Sequence, residues 1–132
     1  MRPISFPYII HKGLPHPIIP IEVHGSTGWN NIEVYVDSGA WISIFTSKEA
    51  DVLGINYSNG RQILTVVGDG SLIPVYLHKL PVRIGDVSFK AMVGFSPKLG
   101  VGFNLLGRKD FFAHFDVTFS DSAKTITFFP KI

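Results

Sequence analysis

The stretch Val34-Tyr35-Val36-Asp37-Ser38-Gly39-Ala40-Trp41-Ile42-Ser43-Ile44 carries the densest information in the chain. Ile32, Val34 and Val36 alternate with Glu33 and Tyr35, the period-two pattern of a strand with one buried face. Asp37 therefore stands at the end of a strand. A small hydroxyl residue and a glycine follow at once, so backbone N–H groups and a hydroxyl come within reach of its carboxylate. Taken alone, the segment has two readings. It is an Asx turn between two strands, or it is a carboxylate held ready for proton transfer.

Outward from this segment the pattern stays β. Residues 16–25 read as a strand after a proline-rich lead over 1–15, and Ile42–Phe45 as another. Thr46 and Glu49 have capping-box spacing, Ala50, Val52 and Leu53 supply an apolar side, and Gly54 suits a C-terminal stop. That combination predicts one short helix. Gln62–Arg83 reads as a long hairpin whose arms meet at Gly68-Asp69-Gly70-Ser71. Pro74 and Pro81 point to exposed or edge positions in those arms. A strand over Val87–Phe95, a loop over Pro97–Gly102 and one or two helical turns over Lys109–His114 follow. Two closing strands, Phe115–Phe119 and Lys124–Phe129, end the chain. No repeat or linker interrupts it, so a single domain over 1–132 is expected.

Composition removes whole classes of chemistry. With 45% hydrophobic and 17% charged residues in 132, the chain carries enough apolar surface for a packed core. The pI near 9.0 rests on a formal charge of only +2 with no block of like charges, so no nucleic acid partner is expected. Zero Cys excludes disulfides, thiolate metal sites and cysteine nucleophiles. The five His never stand four apart, so no helical zinc pair and no metal is expected. Gly68-x-Gly70 and Gly100-x-Gly102 lack the third glycine of a dinucleotide loop. Gly94-Phe95-Ser96-Pro97-Lys98 starts like a nucleophile elbow but ends in Lys. Pro3, Pro7, Pro15, Pro17 and Pro20 interrupt the first apolar stretches, which argues against a targeting segment. No apolar run reaches the roughly eighteen residues of a membrane helix, so a soluble, cytoplasmic protein with no membrane association is expected.

Two separated blocks together carry a resemblance. Val34–Ala40 runs hydrophobic-hydrophobic-Asp-Ser-Gly-Ala, with Ser43 at a set offset after it. Leu105-Leu106-Gly107-Arg108 leads into Lys109-Asp110-Phe111, and a hairpin with a Gly-rich tip lies between the blocks. In this order, over residues 16–129, the chain resembles the retropepsin-like aspartic proteases, single-domain relatives of pepsin that include the retroviral proteases. The resemblance implies a mainly β, closed-barrel acid-protease fold with one or two short helices.

It also implies an aspartic endopeptidase that hydrolyses a peptide or protein substrate, with Asp37 catalytic and no cofactor beyond water. Such hydrolysis needs two carboxyls sharing a proton at close range. The ten acidic residues include no second Asp-Ser/Thr-Gly, so a symmetric homodimer is expected to bring Asp37 to its copy. Ser38 would reach across to the opposite loop, Gly39 would leave room for substrate, and Ala40 and Ser43 would support the loop. Val67, Gly68, Asp69 and Gly70 would form a flap closing over the peptide. Leu105, Leu106 and Gly107 are expected in the core or the pocket wall. Trp41 stands where retroviral members place an acidic residue that pairs with the family Arg. Arg108 is therefore expected to stack on Trp41 or to pair with Glu49, Asp51 or Asp110, tying down the Asp37 loop. The competing reading is a module that keeps the fold for dimerisation or peptide binding and has lost turnover.

Overall fold

The computed structural model describes residues 2–131. Strands β1 (Ile4–Pro7), β2 (Ile9–His11), β3 (Leu14–His16), β4 (Ile18–Gly25), β5 (Gly28–Val36) and β6 (Ser43–Thr46) precede helix α1 (Ser47–Leu53). A 3₁₀ turn at Tyr57–Asn59 leads to β7 (Arg61–Val66), β8 (Leu72–Ile84) and β9 (Val87–Ser96). The chain continues with β10 (Asn104–Leu106), β11 (Phe115–Ser120) and β12 (Thr125–Pro130).

Six strands close on themselves in the order β4-β5-β10-β6-β9-β8, because β8 returns to β4 at Val82 and Arg83. Closure leaves these strands no open edge along the seam. The alternation read from the sequence fills the interior: Ile21 and Val23 of β4 meet Ile32, Val34 and Val36 of β5, with Val93, Phe95 and Leu106. These side chains are all but fully buried. A mainly β closed barrel is thus the architecture.

β8 buries different faces along its length. Ile73, Val75 and Leu77 are buried at odd positions, Val82 and Ile84 at even ones. Its ladder with β9 runs unbroken from Tyr76–Phe95 to Ile84–Val87, so the two sets lie on opposite faces of one ribbon. Val82 and Ile84 join the barrel core, whereas Ile73, Val75 and Leu77 pack with Ile44, Ile42, Val67 and Leu99 in a second apolar cluster. β7 pairs along the outer half of β8 as far as Leu77. Pro81 falls in the stretch between that pairing and the seam with β4, an edge position as its sequence context predicts.

Three features differ from the sequence expectation. The proline-rich lead contains strands: β1 pairs with β12 in a three-stranded sheet β1-β12-β11, while β2 and β3 form a ribbon turned at Lys12 and Gly13, both at positive φ. Pro7 is tolerated because it ends an edge strand. At α1 the Gly54 stop forms with φ 68, but the Thr46 side chain makes no capping bond. Over 109–114 the chain makes turns, with one helix-like bond from the Phe112 N–H to the Arg108 carbonyl at 2.9 Å, and no helix continues from it. Asp110, at φ 67, breaks the helical path there, and its Oδ2 accepts the N–H of Met92 at 2.8 Å. Among the described residues no helix is long and apolar enough to cross a membrane.

The seam carries a bidentate ion pair. Arg83 Nε and Nη2 donate to Glu22 Oε1 and Oε2 at 2.9 and 2.7 Å, and the guanidinium lies 4.2 Å from the Trp29 ring centroid. The hydrogen bonds from Arg83 hold the Glu22 carboxyl below its ordinary value. A lowered carboxyl contributes stability that is present above the ordinary glutamate range and is lost as pH falls through the folded value. The gap in melting temperature between the parent and Glu22→Gln should therefore close as pH is taken from about 6 to about 3. A gap independent of pH would exclude the ionised pair from the seam's stability.

Candidate active site

β5 ends at Val36 because its inward alternation stops there, and Asp37 opens a loop that both flanks hold. The Val36 N–H donates to the Pro17 carbonyl and the Asp37 N–H to the Leu106 carbonyl, each at 2.9 Å. Within the loop the Ala40 N–H donates to the Asp37 carbonyl at 3.1 Å, and the Gly39 N–H donates to Asp37 Oδ1 at 3.0 Å. This is Asx-turn geometry, one of the two readings of the segment, and it fixes the direction of one carboxylate oxygen. Asp37 and Ala40 are half-buried, whereas Ser38 and Gly39 are exposed.

The second sequence block is woven into the first. β10 lies between β5 and β6, parallel to β5 with Asn104, Leu105 and Leu106 opposite Val34, Tyr35 and Val36, and antiparallel to β6 at Leu105–Ile44. Leu106 is buried and Leu105 half-buried. Beyond β10 the Gly107 N–H donates to the buried Ser43 Oγ at 2.8 Å, and the Arg108 and Lys109 N–H groups donate to the Ala40 and Trp41 carbonyls at 2.9 and 2.8 Å. A Cβ on residue 107 would lie 2.7 Å from the Ile42 carbonyl oxygen and 2.9 Å from that of Trp41. Only glycine permits this approach.

Asn104 is a residue whose role the sequence did not announce. Its Nδ2 donates to the Glu33 carbonyl at 3.0 Å and its Oδ1 accepts the Thr46 N–H at 2.9 Å, bridging β5 to β6 across β10. The available signal was one amide between Phe103 and two leucines, a polar group that must find partners once buried.

No protein-family model matches the chain, and no curated protein matches it in sequence. Solved structures do match. A retropepsin-like aspartic protease from Rickettsia conorii superposes with a TM-score of 0.69 at 18% identity, over 96% of this chain and 91% of that one. The EIAV protease complexed with the inhibitor HBY-793 superposes with a TM-score of 0.55 at 17% identity, over 76% of this chain and 88% of that one. The chain has the retropepsin-like fold.

Within the retropepsin-like fold, the β7–β8 hairpin brings Val67 into the second apolar cluster beside Ile42, five residues after Asp37. Gly68, Asp69 and Gly70 are exposed at the tip. The tip is an ordered turn: the Val67 N–H donates to the Ser71 carbonyl at 3.0 Å, and Asp69 Oδ1 accepts the Ser71 hydroxyl and N–H at 2.5 and 2.9 Å. Those donors, the hydroxyl first, hold the Asp69 carboxyl below its ordinary range. A cleft of about 450 Å³ lies elsewhere, against His11, Glu33 and Phe103, with none of residues 37–43 in its wall.

The expected side-chain partners of Arg108 do not form. Its side chain is exposed and makes no ion pair among the described residues, and Asp110 is engaged by Met92. Trp41, 62% exposed, has Lys109 Nζ 5.9 Å from its ring centroid instead. Arg108 supports the loop through its backbone N–H, which any residue but proline supplies. Arg108→Ala should therefore change stability by less than about 0.5 kcal/mol, whereas Ser43→Ala, which orphans the Gly107 N–H, should cost about 1–3 kcal/mol. Urea titration of both variants reads this contrast, and equal losses would contradict it.

Proposed function

We propose that the chain is a homodimeric aspartic endopeptidase in which Asp37 and its copy form the catalytic pair. The observation that carries this reading is the Asp37 loop itself: a half-buried carboxylate, aimed by the Gly39 N–H, on a loop hydrogen-bonded to Leu106, Arg108 and Lys109. Catalysis requires its reacting groups held in place, and a loop tied at both flanks satisfies that need. The fold shared with two proteases supports it further.

In this mechanism the two carboxyls share one proton. The ionised member takes a proton from water as the water oxygen attacks the peptide carbonyl carbon, and the protonated member gives its proton to the carbonyl oxygen. The resulting diol collapses as the amine nitrogen takes a proton from one carboxyl and a diol hydroxyl returns one to the other. The C–N bond breaks, and the pair regains its single proton. Ser38 bridges to the opposite loop across the two-fold axis, and Gly39 leaves room for the peptide. The β7–β8 hairpin acts as a flap, with Val67 to Gly70 closing over an extended substrate held by main-chain hydrogen bonds. Ile42, Val67 and Leu99 offer apolar walls to its side chains. With zero Cys the fold depends on no disulfide, so a reducing compartment such as the cytoplasm is permitted.

Asp37→Asn should lower hydrolysis of a fluorescence-quenched peptide library below about a thousandth of the parent's, because an amide cannot hold the shared proton. Circular dichroism should report an unchanged barrel, and pepstatin should inhibit the parent, its hydroxyl replacing the water. Turnover that survives the substitution would remove Asp37 from the mechanism. A folded dimer that binds peptides without cleaving them would favour the module that lost turnover.

A further inference from the structure

The ribbon of β2 and β3 is a sheet by itself, with Ile9 opposite His16, Ile10 opposite Pro15 and His11 opposite Leu14. Cross-strand partners share a face, so Leu14 lies on one side with His11 and His16, and Ile10 lies on the other with Pro15. The His11 and His16 rings meet Phe103 at centroid distances of 4.8 and 5.8 Å, and His16 meets Tyr35 at 5.7 Å. Next to these aromatic edges the cleft of about 450 Å³ opens, with Ile9 and His11 in its wall. Ile10 and Leu14 are 65% and 61% exposed on opposite faces. A two-stranded ribbon is marginal in water by itself; this one is held on its own barrel through His11 and His16, and Ile10 and Leu14 stay uncovered.

Position identifies the partner. The ribbon returns to the barrel at Pro17, whose carbonyl accepts the N–H of Val36, the residue before Asp37. Two Asp37 carboxyls sharing a proton stand within hydrogen-bond reach, which brings a second copy beside this root. β1 pairs along β12 of the same protomer, in a sheet whose edge strands are β1 and β11. We propose that the β2–β3 ribbon is a docking arm, packed through Ile10 and Leu14 against a second copy of the chain across the axis that relates the two Asp37 loops. The arm rests on the homodimeric reading above. In an isologous interface both arms are used, so each dimer buries two of them.

The test is the paired variant Ile10→Thr, Leu14→Thr, which puts strand-compatible β-branched residues at both positions and disturbs side chains that are exposed in the protomer. Sedimentation velocity over a concentration series reads the dimer dissociation constant, and thermal melts at dissociating dilution read the protomer. The arm requires a dissociation constant raised by roughly tenfold or more, since each side chain loses burial on association. It also requires a melting temperature within about 5 °C of the parent's, as expected for two surface substitutions. A parent that dimerises and a variant that dimerises equally well overturn the arm and leave the homodimeric reading standing. A parent that stays monomeric at every concentration and cleaves nothing overturns both.

Discussion

In the buried centre of the molecule the Gly107 N–H meets the Ser43 hydroxyl oxygen, joining segments 64 positions apart in the chain. The bond matters because of what it secures. β10 is three residues long, too short to repay its ordering through ladder bonds alone, yet it must stay between β5 and β6 for the barrel to close. Asn104 at its start and the Ser43–Gly107 bond at its end clamp both its ends. With β10 in place, the Leu106 carbonyl receives the Asp37 N–H and the two N–H groups after Gly107 reach the far side of the Asp37 loop. The position of the carboxylate is thus a consequence of barrel closure. Buried hydrogen bonds in low dielectric make such a junction stiff, and costly to leave half-made.

The same closure divides β8 between two tasks. Near the Glu22–Arg83 seam its even-numbered side chains fill the barrel, and toward the hairpin its odd-numbered ones pack on Ile42 and Leu99. Through that second cluster the hairpin rests on the segment that leaves the Asp37 loop. Its tip is ordered locally by Asp69 and Ser71, while Leu64, Val66 and Leu72 stay exposed beside it. These three stand on the hairpin face opposite the one that packs on Ile42, because Leu64 and Val66 alternate with Ile63, and Leu72 with Ile73.

Similarity to solved proteases at 17–18% identity, with most of each chain superposed, shows how few residues this architecture constrains. Alternating apolar positions can be exchanged among Ile, Val, Leu and Phe so long as volume is kept. Gly107 and Ser43 cannot be exchanged so freely, because one is set by a close backbone approach and the other by a buried donor. Trp41 is the opposite case, a large side chain on the surface whose contact is a lysine 5.9 Å away.

What the sequence determined by itself is local. Period two marks the strands of the barrel, Gly54 stops the helix, the Gly-rich tip turns the hairpin, and Asp37-Ser38-Gly39 makes the turn that its residue types favour, because each signal involves neighbours a few positions apart. The tertiary structure decided what depends on distant partners. β1 is a strand because β12 lies alongside it, with Ser5 bonded to Thr127 across 122 positions, and its four residues carry no period strong enough to announce that. The Thr46 cap is not made, although the N–H of that residue is taken by Asn104. The helical turns expected over 109–114 stop at a single bonded turn, with Asp110 at φ 67 bonded to the Met92 N–H, and Arg108 holds the loop by its backbone while its side chain is exposed. Side-chain partners are chosen among groups that only folding brings together, so residue type and spacing name the candidates and packing selects from them.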